Sequence, residues 1–283
     1  MIICWPACET LAARLECGMS LPPQALEILH HRSLNSPRAF ERGLSLADRL
    51  PEARHAHEAD ICWVADGDSP PLLYTRHPNM MFDRLGRKAV TAGCKAGQMW
   101  RLEDALAAAR GHAVVLEMKI GTGDRKVALA ELVRVAALHD APVLIDAFSL
   151  DLLEIVRAIS SSTRLSVHTG RYDRERTTIT APGWPLVKTV SSDHLPVNVV
   201  SLRLYGGWHR MWPQIDAVRS AGLVPHMSRL LTPAELVEGA RAPLAAIYAD
   251  PQPYEVGLDA LREACAERLQ AGGSVQKASD KAP

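Results

Sequence analysis

A parallel α/β barrel of the TIM (β/α)8 type is the fold this sequence predicts, and three observations predict it. From residue 25 onward, short apolar runs alternate with longer segments whose apolar residues recur every three or four positions, the signature of βα units feeding a parallel sheet. The runs number about what a closed barrel requires. The length, 283 residues, suits one large α/β domain.

Taken in order, the expected strands are Ala25–Leu29, Glu58–Val64, Leu72–Tyr74, Ala113–Met118, Pro142–Ile145, Arg164–Val167, Val199–Leu202, Leu223–His226 and Ala245–Tyr248. Between them, Pro37–Leu50, Arg101–Arg110, Lys126–His139, Leu150–Ile159, Met211–Ala221 and Thr232–Ala240 carry the spacing of helices that cover a sheet. Thr232-Pro233-Ala234-Glu235 is a helix start, with Thr as cap, Pro at the first helical position and Glu in the capping-box place. Thr169–Ser192, which contains "RYDRERTTITAPGWP", loses the periodic pattern and reads as a long loop bordering the site. The organisation expected is an N-terminal extension over 1–24, one barrel domain over 25–270, and a polar, disordered tail over 271–283 after a helix at Leu258–Leu269.

Composition narrows the function classes. Hydrophobic residues make up 47% and charged residues 23%, as in an average soluble globular protein. Lys plus Arg equals Asp plus Glu at 32 each, so no global field draws the chain to nucleic acid or acidic lipid. Six cysteines without a CxxC pair argue against a zinc ribbon or a thioredoxin-like site. The start lacks a basic region followed by an apolar run, and no stretch approaches the roughly 18 apolar residues of a membrane span. A cytoplasmic protein without stable membrane insertion is expected; its oligomeric state is not legible.

In a parallel barrel the C-terminal strand ends and the following loops form the active face, which sorts the polar residues. His31 follows the first strand, Glu58 and Asp60 lie on the second, His77 follows Leu72–Tyr74, and Glu117 and Lys119 end "HAVVLEMK". Residues two apart on a strand share a face, so Glu58 aims with Asp60, and Glu117 with Lys119. Burying three carboxylates together is costly unless a cation neutralises them, and an all-oxygen set suits Mg²⁺ or Ca²⁺ better than zinc. The competing reading places the same acids at strand ends in water, or paired with Arg54 and Lys119. At this stage both stand.

Together, "HHRSLN", "HEADICWVADGDSPPLLYTRHPNMMFDR" and "VLEMK" resemble, in order and spacing, the glycerophosphodiester phosphodiesterase family within the phospholipase-C-like phosphodiesterase barrels. That family typically shows His-Arg-Gly at the first strand with Asn a few residues on, then Glu-x-Asp, His-Asp-Pro and Glu-x-Lys. Weaker echoes are "IDAFSLDLLEIVR", where the family often has Ser-Phe, and "IYADPQ", where it often ends Thr-Asp-x-Pro. The resemblance implies that Glu58, Asp60 and Glu117 hold a divalent cation, Mg²⁺ or Ca²⁺. It implies that His31 and His77 are the acid-base pair, that Arg32 and Lys119 hold phosphate oxygens, and that Asn35 is a metal or substrate contact. The implied activity is metal-dependent hydrolysis of a glycerophosphodiester or a related small-molecule phosphodiester, a reaction of lipid metabolism.

Three departures bear on the substrate more than on the core chemistry. Ser33 stands for the family's Gly, Pro78 follows His77 directly where an Asp is usual, and "HMSRLLTPAE" replaces a late tryptophan-containing strand and loop. Related barrels act instead as phosphodiester lyases or transferases that form a cyclic phosphate, and a catalytically inactive binding barrel is the non-enzymatic alternative. "GTGDRK" lacks the spacing of a P-loop and reads as a turn that brings Asp124 near the site. "YGGWHRMWP" reads as a loop whose tryptophans are buried or line the substrate pocket. His226 and Asp250 lie at late strand ends without an assigned role.

Overall fold

The computed structural model describes residues 25–65, 69–78, 86–168, 197–204, 207–220 and 222–279. The extension 1–24, the expected loop Thr169–Ser192 and Tyr205 lie outside them.

The chain runs β1 (Glu27–His30), a 3-10 turn (Ser33–Asn35), α1 (Pro37–Asp48), β2 (Arg54–Ala65), β3 (Leu72–Thr75), α2 (Arg87–Lys95), β4 (Trp100–Arg101) and α3 (Leu102–Ala108). It continues with β5 (Ala113–Gly123), α4 (Arg125–Ala136), β6 (Val143–Ala147), α5 (Leu150–Ile159), β7 (Arg164–His168) and β8 (Val199–Arg203). The last elements are α6 (Trp208–Ser220), β9 (Val224–Leu230), α7 (Pro233–Arg241), β10 (Ala246–Ala249) and α8 (Pro251–Ser279). Parallel pairing proceeds from β1 through β2, β5, β6, β7, β8, β9 and β10, and β10 pairs back onto β1. This closes a parallel barrel with the helices outside, the (β/α)8 architecture expected.

One expected strand is not a barrel strand. β3 pairs antiparallel with the far end of β2, Ile61 opposite Thr75, and β4 pairs antiparallel with β3. An apolar run looks the same in either direction, so the sequence pattern did not separate this excursion from the barrel. The excursion has its own small core of Cys62, Val64, Leu72, Tyr74 and Val90. Helix α2 went unrecognised because only Val90 and Gly93 of its residues are buried, too few to print a stripe.

Two further readings need correction. "YGGWHRMWP" was expected as a loop, yet α6 begins at Trp208 and Trp212 is a core residue packed near Trp208. The final helix starts at Pro251, before the expected start at Leu258, and runs to Ser279, past the expected end at Leu269. Pro251 sits where a helix tolerates proline, in its first turn. The start of α7 is as expected: Thr232 accepts from Glu235 N–H, and the Glu235 carboxylate accepts from Thr232 N–H.

Strand alternation divides the core. Ile28, Ala59, Ile61, Leu116, Ile145, Val167, Leu202 and Ile247 face the helices in one large cluster. Leu29, Ala56, Val115, Leu144, Val199, Ala246 and Tyr248 form a second cluster inside the barrel, its packed floor. Between β2 and β5 the register shifts from Ile61 opposite Met118 to Trp63 opposite Gly121, which inserts one extra residue on β5 beside Lys119. Trp63 lies so close to Gly121 that a Cβ there would come within 2.2 Å of the indole. Only glycine fits under that ring.

On its outer face β2 contributes His55 and His57 to a cluster of imidazoles. His30 stacks on both at 5.1 Å, His57 meets Phe40 edge-on at 4.8 Å, and Ser33 Oγ bridges His57 Nδ1 and the His30 carbonyl. His57 shares the outer face of β2 with Ala59 and Ile61, opposite to Glu58 and Asp60. Burial, then the neighbouring His112 and His55, pushes His57 down to about 3, so the folded state keeps it neutral.

Two predictions follow from this packing. Gly121→Ala should destabilise the protein by about 1–3 kcal/mol through overpacking against Trp63, read as a lowered denaturation midpoint; an unchanged midpoint would refute the close approach. Free histidine titrates near 6.5, so between that value and about 3 the unfolded state binds a proton that folded His57 refuses. Stability is therefore full above 6.5 and falls with pH by about 1.4 kcal/mol per unit for one such ring. Urea unfolding at pH 7, 6 and 5 should show a shallower loss for His57→Gln than for the wild type.

Candidate active site

Glu58 and Asp60 of β2 and Glu117 of β5 face the barrel interior at its C-terminal end, where Asp60 and Glu117 are register partners. Ligand oxygens from all three lie within 4.8 Å of one another. Relative exposure decides between the readings the sequence left open: it is 0% for Glu58 and Asp60 and 3% for Glu117. These are not strand-end acids in water. Arg54, one of the two expected partners, begins β2 at the opposite end of the strand. The other, Lys119, is in place: its Nζ lies 2.8 Å from Asp60 Oδ1 and also pairs with Glu117.

Charge and burial compete at each group. Glu58 is pushed well above the usual carboxylate range by burial, then by Asp60 and Glu117. Burial works in the same direction on Asp60, but Lys119 and Asn35 outweigh it and hold Asp60 below its ordinary value. Burial opposes the Lys119 charge, and Glu117, Asp60 and Glu58 together overcome it, raising the ammonium above its usual range.

The turn after β1 supplies the next groups. Arg32 sits in the left-handed region at φ 58° and ψ 18°, a conformation costing a non-glycine residue roughly 1–2 kcal/mol. Its backbone N–H donates to Glu58 Oε2, and its guanidinium Nε lies 3.5 Å from Asp60 Oδ2. Strain at this position is the kind that persists where surrounding contacts over-determine it. Asn35 binds Asp60 twice: its Nδ2 donates to Asp60 Oδ2 at 2.6 Å, and its Oδ1 accepts from Asp60 N–H at 2.9 Å. The Asn35 amide is thus committed to orienting Asp60.

His31 lies beside the carboxylates, and His77 is within electrostatic reach of Asp60 and Glu117. His31 Nε2 is 4.0 Å from Glu58 Oε2, while its Nδ1 is 2.7 Å from Asp250 Oδ1. His77 arrives from the excursion rather than from a barrel strand, just after the Arg76 N–H donates to the Asp60 carbonyl. Burial, with Arg32 and Lys119 adding to it, lowers its pKa, against the opposing pull of Asp60 and Glu117. The structure therefore brings together all eight residues expected from the sequence: His31, Arg32, Asn35, Glu58, Asp60, His77, Glu117 and Lys119. Asp124 does not join them, because its carboxylate caps α4 by accepting from Lys126 and Val127 N–H.

Several polar residues of the interior had no assigned place. Asp250, just beyond β10, holds His31; its signals were a polar residue at a strand end and its place in "IYADPQ". Asp146 of β6, the register partner of Glu117, is fully buried with His168 and Tyr248 around it. Their alternation in "LIDAF" and "LSVH" marks an inward face, but nothing local links them. His226 is inside β9, buried and neutral, held down to about 3 by burial.

The donor set fits a hard divalent cation. All three ligands are carboxylates, and Glu58 Oε1 is buried without a hydrogen-bond partner, an acceptor that a cation would satisfy. No helix among the described residues is long and apolar enough to cross a membrane.

No protein-family model matches this chain, and no curated protein does. Solved structures do match in fold. A glycerophosphodiester phosphodiesterase from Agrobacterium tumefaciens superposes with a TM-score of 0.56 at 16% identity, covering 86% of this chain and 100% of that one. A second such enzyme, from Parabacteroides distasonis, gives 0.57 at 14% identity over 85% and 99% of the two chains. An Oleispira antarctica phosphodiesterase, solved with its product sn-glycerol-3-phosphate, gives 0.54 at 17% identity over 85% and 97%. The chain is a (β/α)8 barrel similar in fold to the glycerophosphodiester phosphodiesterases.

Proposed function

We propose that this protein is a metal-dependent phosphodiesterase that hydrolyses a glycerophosphodiester or a related small phosphodiester by histidine acid-base catalysis. The observation that carries the reading is the buried Glu58, Asp60 and Glu117 group, with His31 beside it and His77 within electrostatic reach of Asp60 and Glu117. A purely structural cluster would not need a buried carboxylate oxygen without a hydrogen-bond partner among the described residues.

Phosphodiesters resist attack because their charge repels nucleophiles, so a catalyst must neutralise the phosphoryl oxygens and manage two protons. Glu58, Asp60 and Glu117 would hold Mg²⁺ or Ca²⁺, which when bound supplies Lewis-acid stabilisation of phosphoryl charge. Arg32 and Lys119 lie beside the same carboxylates and would hold the non-bridging oxygens. His77, with its lowered pKa, is neutral near pH 7 and suits the removal of a proton from the nucleophile. His31 suits the delivery of a proton to the leaving alkoxide, because Asp250 fixes its Nδ1 and leaves Nε2 turned toward Glu58. Asn35 keeps Asp60 in place as a ligand.

Four outcomes check this. Calorimetric titration with Mg²⁺ or Ca²⁺ should show one site that Glu58→Gln weakens at least tenfold, and absence of heat in the wild type would refute the cation site. With a chromogenic phosphodiester, His31→Ala and His77→Ala should each lose about a hundred- to ten-thousand-fold in kcat with the fold retained. In ¹⁸O-water the label should appear on the phosphate, whereas unlabelled or cyclic product would establish the lyase reaction. A base must be unprotonated, so the acid limb of kcat/KM should fall below 6.5 and disappear in His77→Ala.

A further inference from the structure

Among the described residues, two that are not glycine hold the left-handed conformation, and both are arginines at the active face: Arg32, just after β1, and Arg229, near the end of β9 with φ 63°. Arg32 stands beside the carboxylates and has a place in the proposed reaction. Arg229 has none. Its strand register shows how the chain reaches that conformation. Met227 lies opposite Ile247 and Leu230 opposite Ala249, so β9 runs from 227 to 230 while β10 runs only from 247 to 249. The extra residue on β9 is a bulge. Met227 and Leu230 both pack in the helix-facing cluster, so Ser228 and Arg229 fall between two outward residues and leave that face. Both belong to "HMSRLLTPAE", one of the stretches where the sequence departs from the family it resembles.

A second arginine reaches the same place from β8. Val199 belongs to the packed floor inside the barrel, and the Ser201 hydroxyl meets those of Ser166 and Tyr248 there. Arg203, two residues on, shares their inward face at the C-terminal end of β8, with Ser228 as its register partner. Arg203 is half-buried and Arg229 exposed.

These strands form the wall opposite the carboxylates. In the closed ring, β8 is four pairings from β2 in either direction, and β9 is four from β5. With neighbouring strands about 4.8 Å apart, a ring of eight is about 12 Å across, and strand tilt widens it. Arg32 and Lys119, beside the carboxylates, would already hold the oxygens of the reacting phosphate. Guanidinium groups on the far wall suit a second anion, since their fork of N–H donors matches a carboxylate or a phosphate. A strained backbone at one of them is a cost that function commonly explains.

We propose that Arg203 and Arg229 form an anion subsite, and that the phosphodiester this protein hydrolyses carries a second negatively charged group, a carboxylate or a phosphate monoester, on one of its alcohols. This rests on the reading of the protein as a phosphodiesterase and adds the class of alcohol to it.

The test uses the full chain with Mg²⁺ and three p-nitrophenyl phosphodiesters, those of glycerol, of glycerate and of glycerol phosphate. Their second alcohol is neutral, carries a carboxylate, or carries a phosphate. For at least one anionic probe the wild type should show a kcat/KM about ten- to a hundredfold above that for the glycerol probe, mostly through KM. The preferred probe tells carboxylate from phosphate. Arg203→Gln and Arg229→Gly should each lower this ratio about tenfold. Glycine accepts the left-handed conformation, so the second variant removes the charge and keeps the backbone shape. No preference in the wild type, or an unchanged ratio in either variant, overturns the inference. An equal loss on all three probes assigns the arginines to the reacting phosphate and overturns it as well. If Arg203→Gln does not fold, Arg229→Gly alone decides it by the same ratio. Hydrolysis of none of the probes by the wild type would instead sink the phosphodiesterase reading, and this inference with it.

Discussion

Three carboxylates buried within reach of one another set the terms for everything around them. Withdrawing even one ionised acid from water costs several kcal/mol unless partners repay it. Here the repayment comes from several sides: Lys119 from the adjacent strand, the Asn35 amide and the Arg32 backbone N–H. The left-handed conformation at Arg32 belongs to this account, because it turns that N–H toward Glu58. Glu58 is the least compensated, with one oxygen unpartnered and its pKa raised. An added cation would relieve that imbalance.

The two faces of β2 show how one strand meets opposite demands. Outward, His55 and His57 are buried among other imidazoles and stay neutral; inward, Glu58 and Asp60 are buried among charges and stay coupled to Lys119. The two-residue period of a strand makes this possible, since neighbours in sequence never share an environment. The extra residue on β5 then sets Lys119 against Asp60, just before the register resumes at Gly121 under Trp63. Backbone irregularities beside functional side chains recur because a regular ladder offers no such choice of aim.

How much was legible in the sequence follows from how local each signal is. Glu58 with Asp60, and Glu117 with Lys119, are readable because two-residue spacing fixes a shared face wherever the strand lies. The capping box at Thr232 is readable for the same reason. The direction of β3 was not, because pairing sense depends on a partner strand and not on the run itself. Nor was the company kept by Asp146, whose hydrogen bond to Tyr248 joins residues separated by 102 positions. Asp250 and His31 are 219 positions apart, so no window of sequence could have joined them.

That last distance has a consequence for how the protein is made. The seam where β1 meets β10 joins the first described strand to the last one, and His31 and Asp250 face each other across it. Every carboxylate of the cage leaves the ribosome before β10, yet the imidazole beside them gains its Asp250 contact only when β10 is added. An unfinished chain would carry the acids without the oriented histidine. Completion of the ring thus doubles as the step that sets His31 against Asp250 beside the acids, in a chain that has folded through to β10.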